Sequence, residues 1–391
     1  MNILFVYNSP IIPENGGVQR VTYVLASYFE EQGHKVHFLS LHSQKMMDDR
    51  QFVLPDSSHS NTKKNVNYLS ELLVKQNIDV IINQDGLNPD TTGLVLSCEH
   101  NGISIISVAH NSIIGAVQHF RYSRYDLFKR MHLTCVLPIF DWRPINRTLL
   151  WLFKLTHKSF FNKVIKESDK YVLLSDRYLL ELEYILGKLG HSNIVAISNP
   201  CTIVNDNVDL EKKEKVMLYV GRIDFSQKRN DLLLKVWEKV SREVPDWKLV
   251  VVGGGPNLDK IKDVSLEMML KRIEFVGQAS PSTYYHRSSL FSLTSSFEGF
   301  PLTLVEAMAN GVVPLAFDSF ASLRTIIDDG RNGCVVNPFD LDEYARRVVM
   351  LMKDDVLRRE YALNALEKSN VFTLESIGQE WEELFKEMNN D

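Results

Sequence analysis

Two glutamates, Glu298 and Glu306, lie eight positions apart on either side of a Gly299–Pro301 turn. The apolar segment Leu290–Thr294 before them predicts a buried strand. The segment Leu302–Gly311 after them predicts a helix that begins near the proline and ends at the glycine. The first glutamate is therefore expected at the carboxyl end of a strand, beside a helix N-terminus whose backbone N–H groups favour an anion. Two carboxylates flanking such a row of donors suit a sugar attached to a phosphate.

Three cations, Arg222, Lys228 and Arg229, follow the predicted strand Val216–Val220 within one loop. Arginine can bind a phosphate through two parallel hydrogen bonds, and lysine adds a compact positive charge. Asp231, near the start of the next helix, is more simply a cap or a partner for these cations. The cluster favours a phosphate site, with a solvated turn as the alternative.

Glycine turns follow three other predicted strands. Gly16 and Gly17 open a helix after the first strand, although the pattern is not GxGxxG and a plain turn is the alternative. Gly253–Gly255 end the strand 248–252, as nucleotide-proximal turns do, but also as any tight strand–helix connection does. Gly277 ends the strand Ile273–Val276 and is a candidate neighbour of a base.

His110 comes directly after the predicted strand Ile103–Ala109. At the carboxyl end of a strand, an imidazole is well placed to hydrogen-bond a substrate hydroxyl or a backbone carbonyl. A structural histidine with satisfied hydrogen bonds is the alternative.

Short apolar strands alternate with longer amphipathic segments, a pattern typical of parallel sheets covered by helices. The predicted strands are Ile3–Tyr7, Val36–Leu39, Val80–Asn83, Ile103–Ala109, Tyr171–Leu174, Ile194–Ile197, Val216–Val220, Lys248–Val252, Ile273–Val276, Leu290–Thr294, Val312–Ala316 and Val335–Val336. The predicted helices include Val18–Gln32, Arg229–Arg242 and Tyr344–Lys353. The charged segment Asn205–Lys215 is the best candidate for a boundary. We therefore predict an α/β protein of two Rossmann-like, doubly wound parallel-sheet domains, 1–200 and 201–373, facing a central cleft. Ligands bind such sheets outside the carboxyl ends of the strands.

The composition is that of an ordinary globular protein, with 391 residues, 45% hydrophobic and 24% charged. A net charge of −5 gives no drive toward nucleic acid. The four cysteines form no CxxC pair, which disfavours zinc and fits a reducing compartment. We expect no signal peptide and no apolar stretch of the ~18 residues that span a bilayer, and hence a cytoplasmic protein.

One segment departs from this alternation. His119–Lys163 contains nine Lys/Arg against two Asp/Glu, together with ten aromatic residues. Such a surface suits anionic lipid headgroups or a lipid-linked acceptor, at the inner face of a membrane. The alternative is a pair of helices whose aromatic rings are core and whose charges are solvated.

In this order along the chain, these motifs resemble the group 1 (family 4) retaining glycosyltransferases. The resemblance covers nearly the whole chain; it is strong from Tyr219 to Asn337 and looser from Gln44 to Lys163, where that family binds its varied acceptors. It implies the GT-B fold, in which the second of two Rossmann-like domains holds most of the nucleotide sugar. It also implies that the last helix, 374–391, returns to the first domain.

The resemblance implies a role for each matched residue. Arg222 and Lys228 would neutralise the donor diphosphate, and Glu298 would accept hydrogen bonds from the transferred sugar. Glu306 would bind the ribose hydroxyls, while His110 would contact the sugar and the reaction centre. The implied catalytic set is His110, Glu298, Arg222 and Lys228. The further implied donor-binding residues are Gly16, Gly17, Gly221, Gly254, Val276, Gly299, Phe300, Leu302 and Thr303.

The implied reaction moves a hexose from a nucleotide diphosphate sugar, UDP before GDP, to a saccharide acceptor with retention of configuration. We expect the acceptor to be lipid-linked, in the synthesis of a capsule, O-antigen or exopolysaccharide. No cofactor is expected, because the nucleotide sugar is a substrate. The loop cations can replace a divalent metal, and the one DxD string, Asp340–Asp342, lies at a predicted helix start where aspartate is a cap.

Two alternatives keep the fold: a sugar-nucleotide epimerase, which the Glu298–Glu306 spacing disfavours, and a non-catalytic protein that binds sugar nucleotides. An NAD-dependent oxidoreductase is the weakest, since the first strand is not followed by GxGxxG and an acid ~20 residues further on.

Overall fold

The computed structural model describes residues 1–43, 49–99, 102–190, 193–205 and 207–390. The chain divides into two compact units. Unit 1 comprises Met1–Ile113, Trp151–Thr202 and Thr373–Asp391, and unit 2 comprises Ile114–Leu150 and Ile203–Phe372. The segment Ile114–Leu150 thus groups with unit 2, although it lies in the first half of the chain.

Unit 1 contains a parallel sheet of seven strands among the described residues. They are β1 (Asn2–Tyr7), β2 (Lys35–Ser40), β3 (Gln51–Val53), β4 (Val80–Asn83), β5 (Ser104–Ala109), β6 (Lys170–Leu173) and β7 (Ile194–Ala196), in the order β3-β2-β1-β4-β5-β6-β7. The central strands are buried on both faces, as expected for a sheet covered by helices on both sides.

Unit 2 contains a second parallel sheet, of six strands among the residues described. They are β8 (Val216–Val220), β9 (Lys248–Val252), β10 (Ile273–Gly277), β11 (Leu290–Leu293), β12 (Val313–Phe317) and β13 (Cys334–Val336), in the order β10-β9-β8-β11-β12-β13. In each sheet, strands are added first on one side of the first strand and then on the other side, so both sheets are doubly wound. The predicted α/β class with two doubly wound parallel-sheet domains is therefore confirmed.

The helices connect these strands in chain order. They are α1 (Gly17–Glu31), α2 (Lys63–Lys75), α3 (Pro89–Ser97), α4 (Gly115–Gln118), α5 (Phe120–Ser123), α6 (Tyr125–Arg130), α7 (Arg143–Glu167), α8 (Leu179–Leu186), α9 (Asn230–Val240), α10 (Leu258–Glu267), α11 (Ser282–Arg287), α12 (Leu302–Ala309), α13 (Leu323–Ile326), α14 (Leu341–Lys353), α15 (Asp355–Ser369) and α16 (Leu374–Asn390). In the part of the chain that the structure describes, none of them combines the length and the apolar character that crossing a bilayer requires.

The last helix, α16, packs on α1 inside unit 1. The ring of Phe29 on α1 lies 5.2 Å from that of Phe385 and 6.3 Å from that of Trp381, and all three are buried. A Cβ on Gly378 would overlap the ring of Tyr28, so glycine lets the two helices approach closely. A helix far along the chain thereby completes the core of the first unit.

Candidate active site

The switch point of the unit 2 sheet lies between β8 and β11. Strand β8 continues to β9 on one side and β11 continues to β12 on the other, so the loops after β8 and β11 leave in opposite directions. Ligands of doubly wound sheets bind at this position, outside the carboxyl ends of the strands. The predicted cations follow β8, and the first of the two predicted glutamates follows β11.

An ion pair joins these two loops. The Nζ atom of Lys228 donates to Oε1 of Glu298 over 2.6 Å, and the two side chains are only 19% and 8% exposed. A charge-assisted hydrogen bond this well shielded from water is strong and holds both groups in one geometry. The structure thus brings together the cation and the carboxylate that the sequence places 70 positions apart.

The backbone on either side of Lys228 is fixed as well. Ser296 N–H donates to the Gln227 carbonyl over 2.8 Å, and the Gln227 side chain donates back to the Phe297 carbonyl over 3.1 Å. The Thr294 hydroxyl donates to the Arg229 carbonyl over 3.0 Å. Hydrogen bonds from the loop after β11 therefore fix the loop after β8, so Lys228 is preorganised.

Asp224 holds the first half of the same loop. Its carboxylate accepts from the Ser226 N–H over 2.6 Å and pairs with Arg222 over 2.8 Å. Burial alone would raise the pKa of Asp224, but hydrogen bonds from Ser226 and the charge of Arg222 outweigh it and hold that pKa below its usual value. The carboxylate therefore stays ionised and keeps the turn closed.

Arg222 presents an accessible guanidinium beside this turn. Its side chain is 56% exposed, and Nη2 donates to Asp224 and, over 3.1 Å, to Gln227. A guanidinium carries five N–H donors in a planar fork. The geometry leaves donors of Arg222 facing solvent at the carboxyl end of β8, as a phosphate site requires.

Arg229 has a different environment from the other two cations. It is buried, forms a two-point ion pair with Asp231 at 3.0 Å for each bond, and stacks on the Tyr122 ring. The expectation that Asp231 is a partner of the loop cations is confirmed. Arg229 is thus a structural residue of the loop, next to the exposed Arg222 and the half-buried Lys228.

Glycines allow the turns after β8, β9 and β10 to pack backbone against backbone. Gly253 has φ +141°, and a Cβ there would overlap the Gly221 carbonyl oxygen. Gly253 N–H donates to the Gly277 carbonyl over 2.8 Å, and Ile223 N–H donates to the Gly254 carbonyl over 2.8 Å. Only glycine has the conformation and the size for this close approach.

Val276 lies at a β-bulge, because the pairing of β10 with β9 shifts register between Phe275 and Gly277. A bulge re-aims the side chain of the extra residue. Val276 is half-buried beside the glycine turns, so the structure places it next to the turn that the sequence associates with a base.

Helix α12 begins after Pro301, as expected, so Leu302 and Thr303 form its first turn. The Ser322 hydroxyl donates to the Gly299 carbonyl over 2.6 Å and fixes the turn before the helix. The Phe300 ring packs on Phe372, with ring centres 5.6 Å apart. The predicted stop is also confirmed, since Gly311 follows the helix with φ +67°.

Glu306, on the second turn of α12, is fully buried. Its carboxylate accepts from the Tyr285 hydroxyl over 2.9 Å, and no pattern in the sequence pointed to this tyrosine. The structure therefore places Glu306 on the same element as Leu302 and Thr303, but behind the surface of the unit rather than on it.

In unit 1, Gly16 caps the N-terminus of α1 and Gly17 is its first residue. The Gly16 carbonyl accepts from the Arg20 N–H over 3.0 Å. The expected helix opening is confirmed. A helix of 15 residues presents its N-terminal amides, and hence partial positive charge, at these glycines.

His110 follows β5, and its Nε2 atom is hydrogen-bonded to the Gln84 side chain, which follows β4. Burial lowers the pKa of His110 to about 4, so the ring is neutral near pH 7. Among the described residues, Nδ1 of His110 is buried with no hydrogen-bond partner, and so is Oδ1 of Asn8, which follows β1. The strand ends of unit 1 therefore hold polar groups able to accept or donate to a ligand.

The DxD string has a structural role. Asp340 is the N-cap of α14 and accepts from the Glu343 N–H over 2.9 Å, as predicted, while Asp342 pairs with Lys239 over 2.7 Å. Within the described ranges, no three His, Cys, Asp or Glu side chains are grouped as metal ligands. The four cysteines, which all lie in those ranges, form no disulfide.

Doubly wound parallel sheets bind their ligands at the switch point, and in the second sheet of this chain that point carries the Lys228–Glu298 pair. Two family models match the chain: Glycosyltransferase Family 4 over residues 15–200 and Glycosyl transferases group 1 over residues 204–368. The chain belongs to the group 1 (family 4) glycosyltransferases.

Two of the curated relatives with glycosyltransferase names match the chain over different lengths. An uncharacterised glycosyltransferase of Haemophilus influenzae is 25% identical, with 94% of this chain and 95% of the relative covered. The lipopolysaccharide 1,6-galactosyltransferase of Salmonella typhimurium is 27% identical, with 52% of this chain and 58% of the relative covered. This second match therefore extends over about half of each protein.

Solved structures share the fold. Sucrose-phosphate synthase from Thermosynechococcus elongatus superposes with a TM-score of 0.75 at 18% identity, covering 100% of this chain and 99% of the other. The Anabaena protein HepE in complex with UDP-glucose gives a TM-score of 0.72 at 15% identity, covering 99% and 100%. At these identities the likeness concerns the fold alone.

Proposed function

We propose that this glycosyltransferase moves a hexose from a UDP-sugar to a saccharide acceptor, with retention of configuration and without a metal ion. The observation that carries the proposal is the ion pair of Lys228 and Glu298 at the switch point of the unit 2 sheet. It sets a cation and a carboxylate side by side where the diphosphate and the sugar of such a donor would meet.

Cleavage of the anomeric C–O bond leaves a nucleoside diphosphate, so negative charge develops on the leaving oxygens. Arg222, with an accessible guanidinium, and Lys228, held by its loop, would stabilise that charge. Because these groups are already in place, little reorganisation accompanies the reaction. This is the role that a divalent metal fills in other enzymes that cleave diphosphates.

When the donor binds, the Lys228 ammonium would keep its hydrogen bond to Glu298 and direct its remaining N–H donors to the diphosphate, and Glu298 would accept hydrogen bonds from hydroxyls of the sugar. In this scheme the carboxylate binds the sugar and is not a nucleophile. Transfer on the face that the diphosphate leaves then gives retention. For Gly16, Gly17 and His110, contact with the donor remains a prediction of the family resemblance.

Two observations support the choice of donor and acceptor. The Anabaena protein with the same fold was solved with UDP-glucose, and the Salmonella relative is named for a lipopolysaccharide acceptor. We therefore place UDP-hexose before GDP-hexose, and a lipid-linked saccharide of a cell-surface polysaccharide before a soluble acceptor.

The test is donor binding followed by turnover. Calorimetry with UDP- and GDP-hexoses should find one specific donor, and that donor should raise the thermal midpoint of the protein, because it stabilises only the folded form. With a lipid-linked acceptor, nucleotide release should persist in the presence of EDTA, and NMR of the product should show the anomer of the donor. Loss of activity with EDTA, or an inverted product, would contradict the proposal.

The alternatives give different results in the same experiment. An epimerase would isomerise the donor with no acceptor present, and a non-catalytic binding protein would bind the donor but release no nucleotide.

A further inference from the structure

The basic aromatic segment His119–Lys163 divides between two environments. Its first part folds within unit 2, where the Phe120 and Phe140 rings pack with centres 4.7 Å apart and Tyr122 covers Arg229. Its second part, from Trp151, belongs to unit 1. The first part therefore spends much of its aromatic surface on packing, as the alternative view of this segment expected. In the second part Phe161 is buried as well, whereas Trp151 is 54% exposed.

Helix α7 is poorly covered along most of its length. None of residues 143–160 is buried, and only Phe161, Val164 and Ile165 near its end are. Helices in globular proteins owe most of their stability to packing of an apolar face. Apolar side chains on the uncovered stretch therefore indicate a partner.

These side chains form a surface with those of α8. We call it the α7–α8 surface, and its members are Trp151, Leu152, Lys154, Leu155, Lys158, Leu180 and Tyr184. The five apolar or aromatic members are 54%, 46%, 54%, 70% and 38% exposed, in that order along the chain. Exposed apolar groups this close together are uncommon on a soluble protein unless they bind something.

Geometry joins the two helices into one surface. The Lys154 ammonium lies 5.4 Å from the centre of the Tyr184 ring. Trp151 lies three residues before Lys154 and four before Leu155, and Lys158 lies four residues after Lys154. These four side chains therefore share one face of α7. Leu180 is four residues before Tyr184 and shares its face of α8.

We propose that the α7–α8 surface docks on an anionic lipid bilayer. Tryptophan, tyrosine and leucine side chains insert at the boundary of headgroups and acyl chains, while lysines beside them meet the phosphates. A second copy of this chain fits less well, because a two-fold contact would set the same lysine-bearing surface against itself. The positive charge is also local, since the whole chain carries −5.

The test uses the full chain and sedimentation with vesicles, with no donor or acceptor present. Binding is expected to vesicles of equimolar phosphatidylcholine and phosphatidylglycerol, to weaken with salt, and to be slight with phosphatidylcholine alone. Each lysine contributes about fivefold in affinity. Two lysines together contribute about 25-fold, so Lys154→Glu with Lys158→Glu should weaken binding by about 25-fold or more. Trp151→Ala with Leu155→Ser should also release the protein from the vesicles.

A matched control is available on α10, where Lys262 and Leu266 are exposed four residues apart. Lys262→Glu with Leu266→Ser should bind vesicles like the parent. Equal binding to both vesicle types, no binding to either, or equal loss in the control would overturn the proposal. A dimer of the parent chain that the α7–α8 variants convert to a monomer would also overturn the proposal. Donor binding measured by calorimetry in the same variants should be unchanged, which separates this proposal from the proposed reaction.

Discussion

The guanidinium of Arg229 lies 3.8 Å from the centre of the Tyr122 ring, within unit 2. Arg229 adopts φ +51°, a left-handed conformation that favours glycine, and it directly follows Lys228. Such a conformation costs on the order of 1–2 kcal/mol and persists only where neighbouring contacts impose it. The Asp231 carboxylate and the Tyr122 ring supply those contacts, so an aromatic residue of the segment Ile114–Leu150 holds the loop that carries Lys228.

Replacing Tyr122 should therefore disturb catalysis through Lys228. Tyr122→Ala removes a cation–π contact of about 0.5–2 kcal/mol and should lower kcat/KM for the donor about 2- to 30-fold. Tyr122→Phe keeps the aromatic face and should retain activity. Steady-state kinetics of nucleotide release measures both, and equal activity in the alanine and phenylalanine variants would contradict this role.

Lys228→Met should lower kcat by about a hundredfold or more, because one preorganised donor to the leaving group is typically worth about 3 kcal/mol in the transition state. Glu298→Gln should impair transfer as well. The double variant should lose less than the sum of the two losses, since the residues are in contact. Lys262→Met is the control for removing a lysine. Additive losses would indicate that the pair does not act as a unit.

Gly253→Ala should destabilise unit 2 severely. Its Cβ would overlap the Gly221 carbonyl oxygen, and φ is +141°. Gly254→Ala, in the same turn, meets its nearest atom only at 3.8 Å and should change the free energy of unfolding little. Thermal unfolding compares the two variants directly, and similar midpoints would show that the turns after β8 and β9 can separate without cost.

His119 should make stability depend on pH in the acid range. Burial lowers the pKa of His119 from 6.5 to about 4. Above pH 6.5 the ring is neutral in both states. As the pH falls from 6.5 to about 4, the unfolded chain takes up a proton that the folded chain does not, so folding loses stability on the order of 1–3 kcal/mol. His119→Gln should reduce this loss, measured by denaturant unfolding, whereas substitution of exposed His59 should not.

Much of the fold was predictable because both sheets use buried parallel strands, whose apolar runs stand out between amphipathic helices. Each of the twelve predicted strands overlaps an observed one. Strand β3, Gln51–Val53, was missed: it has three half-buried residues and lies at the edge of its sheet. A strand of three residues is recognised by its hydrogen bonds to the neighbouring strand β2, because its own sequence is too short to show a hydrophobic pattern.

The candidate site was predictable where residues follow strand ends, as Lys228 and Glu298 do, because topology brings such ends together. The residues that hold it were not predictable. Asp224 closes its own loop by accepting from Ser226, Gln84 is hydrogen-bonded to His110, which is 26 positions away, and Tyr285 reaches Glu306 from another helix. A polar run after β4 was a usable signal for Gln84. For Tyr285 the sequence offered none.

Within the basic aromatic segment, the sequence could not separate rings that pack on other rings from exposed ones. Phe140 and Trp142 are two residues apart, yet the first packs on Phe120 and the second is 64% exposed. Burial here depends on tertiary contacts rather than on periodicity.

The return of α16 to α1 has a consequence for biosynthesis. A ribosome makes β1 and α1 before unit 2, but the rings that cover Phe29 emerge only after all of unit 2 has been translated. Until α16 is synthesised, the nascent first unit therefore exposes an apolar groove that chaperones can bind and that can cause aggregation.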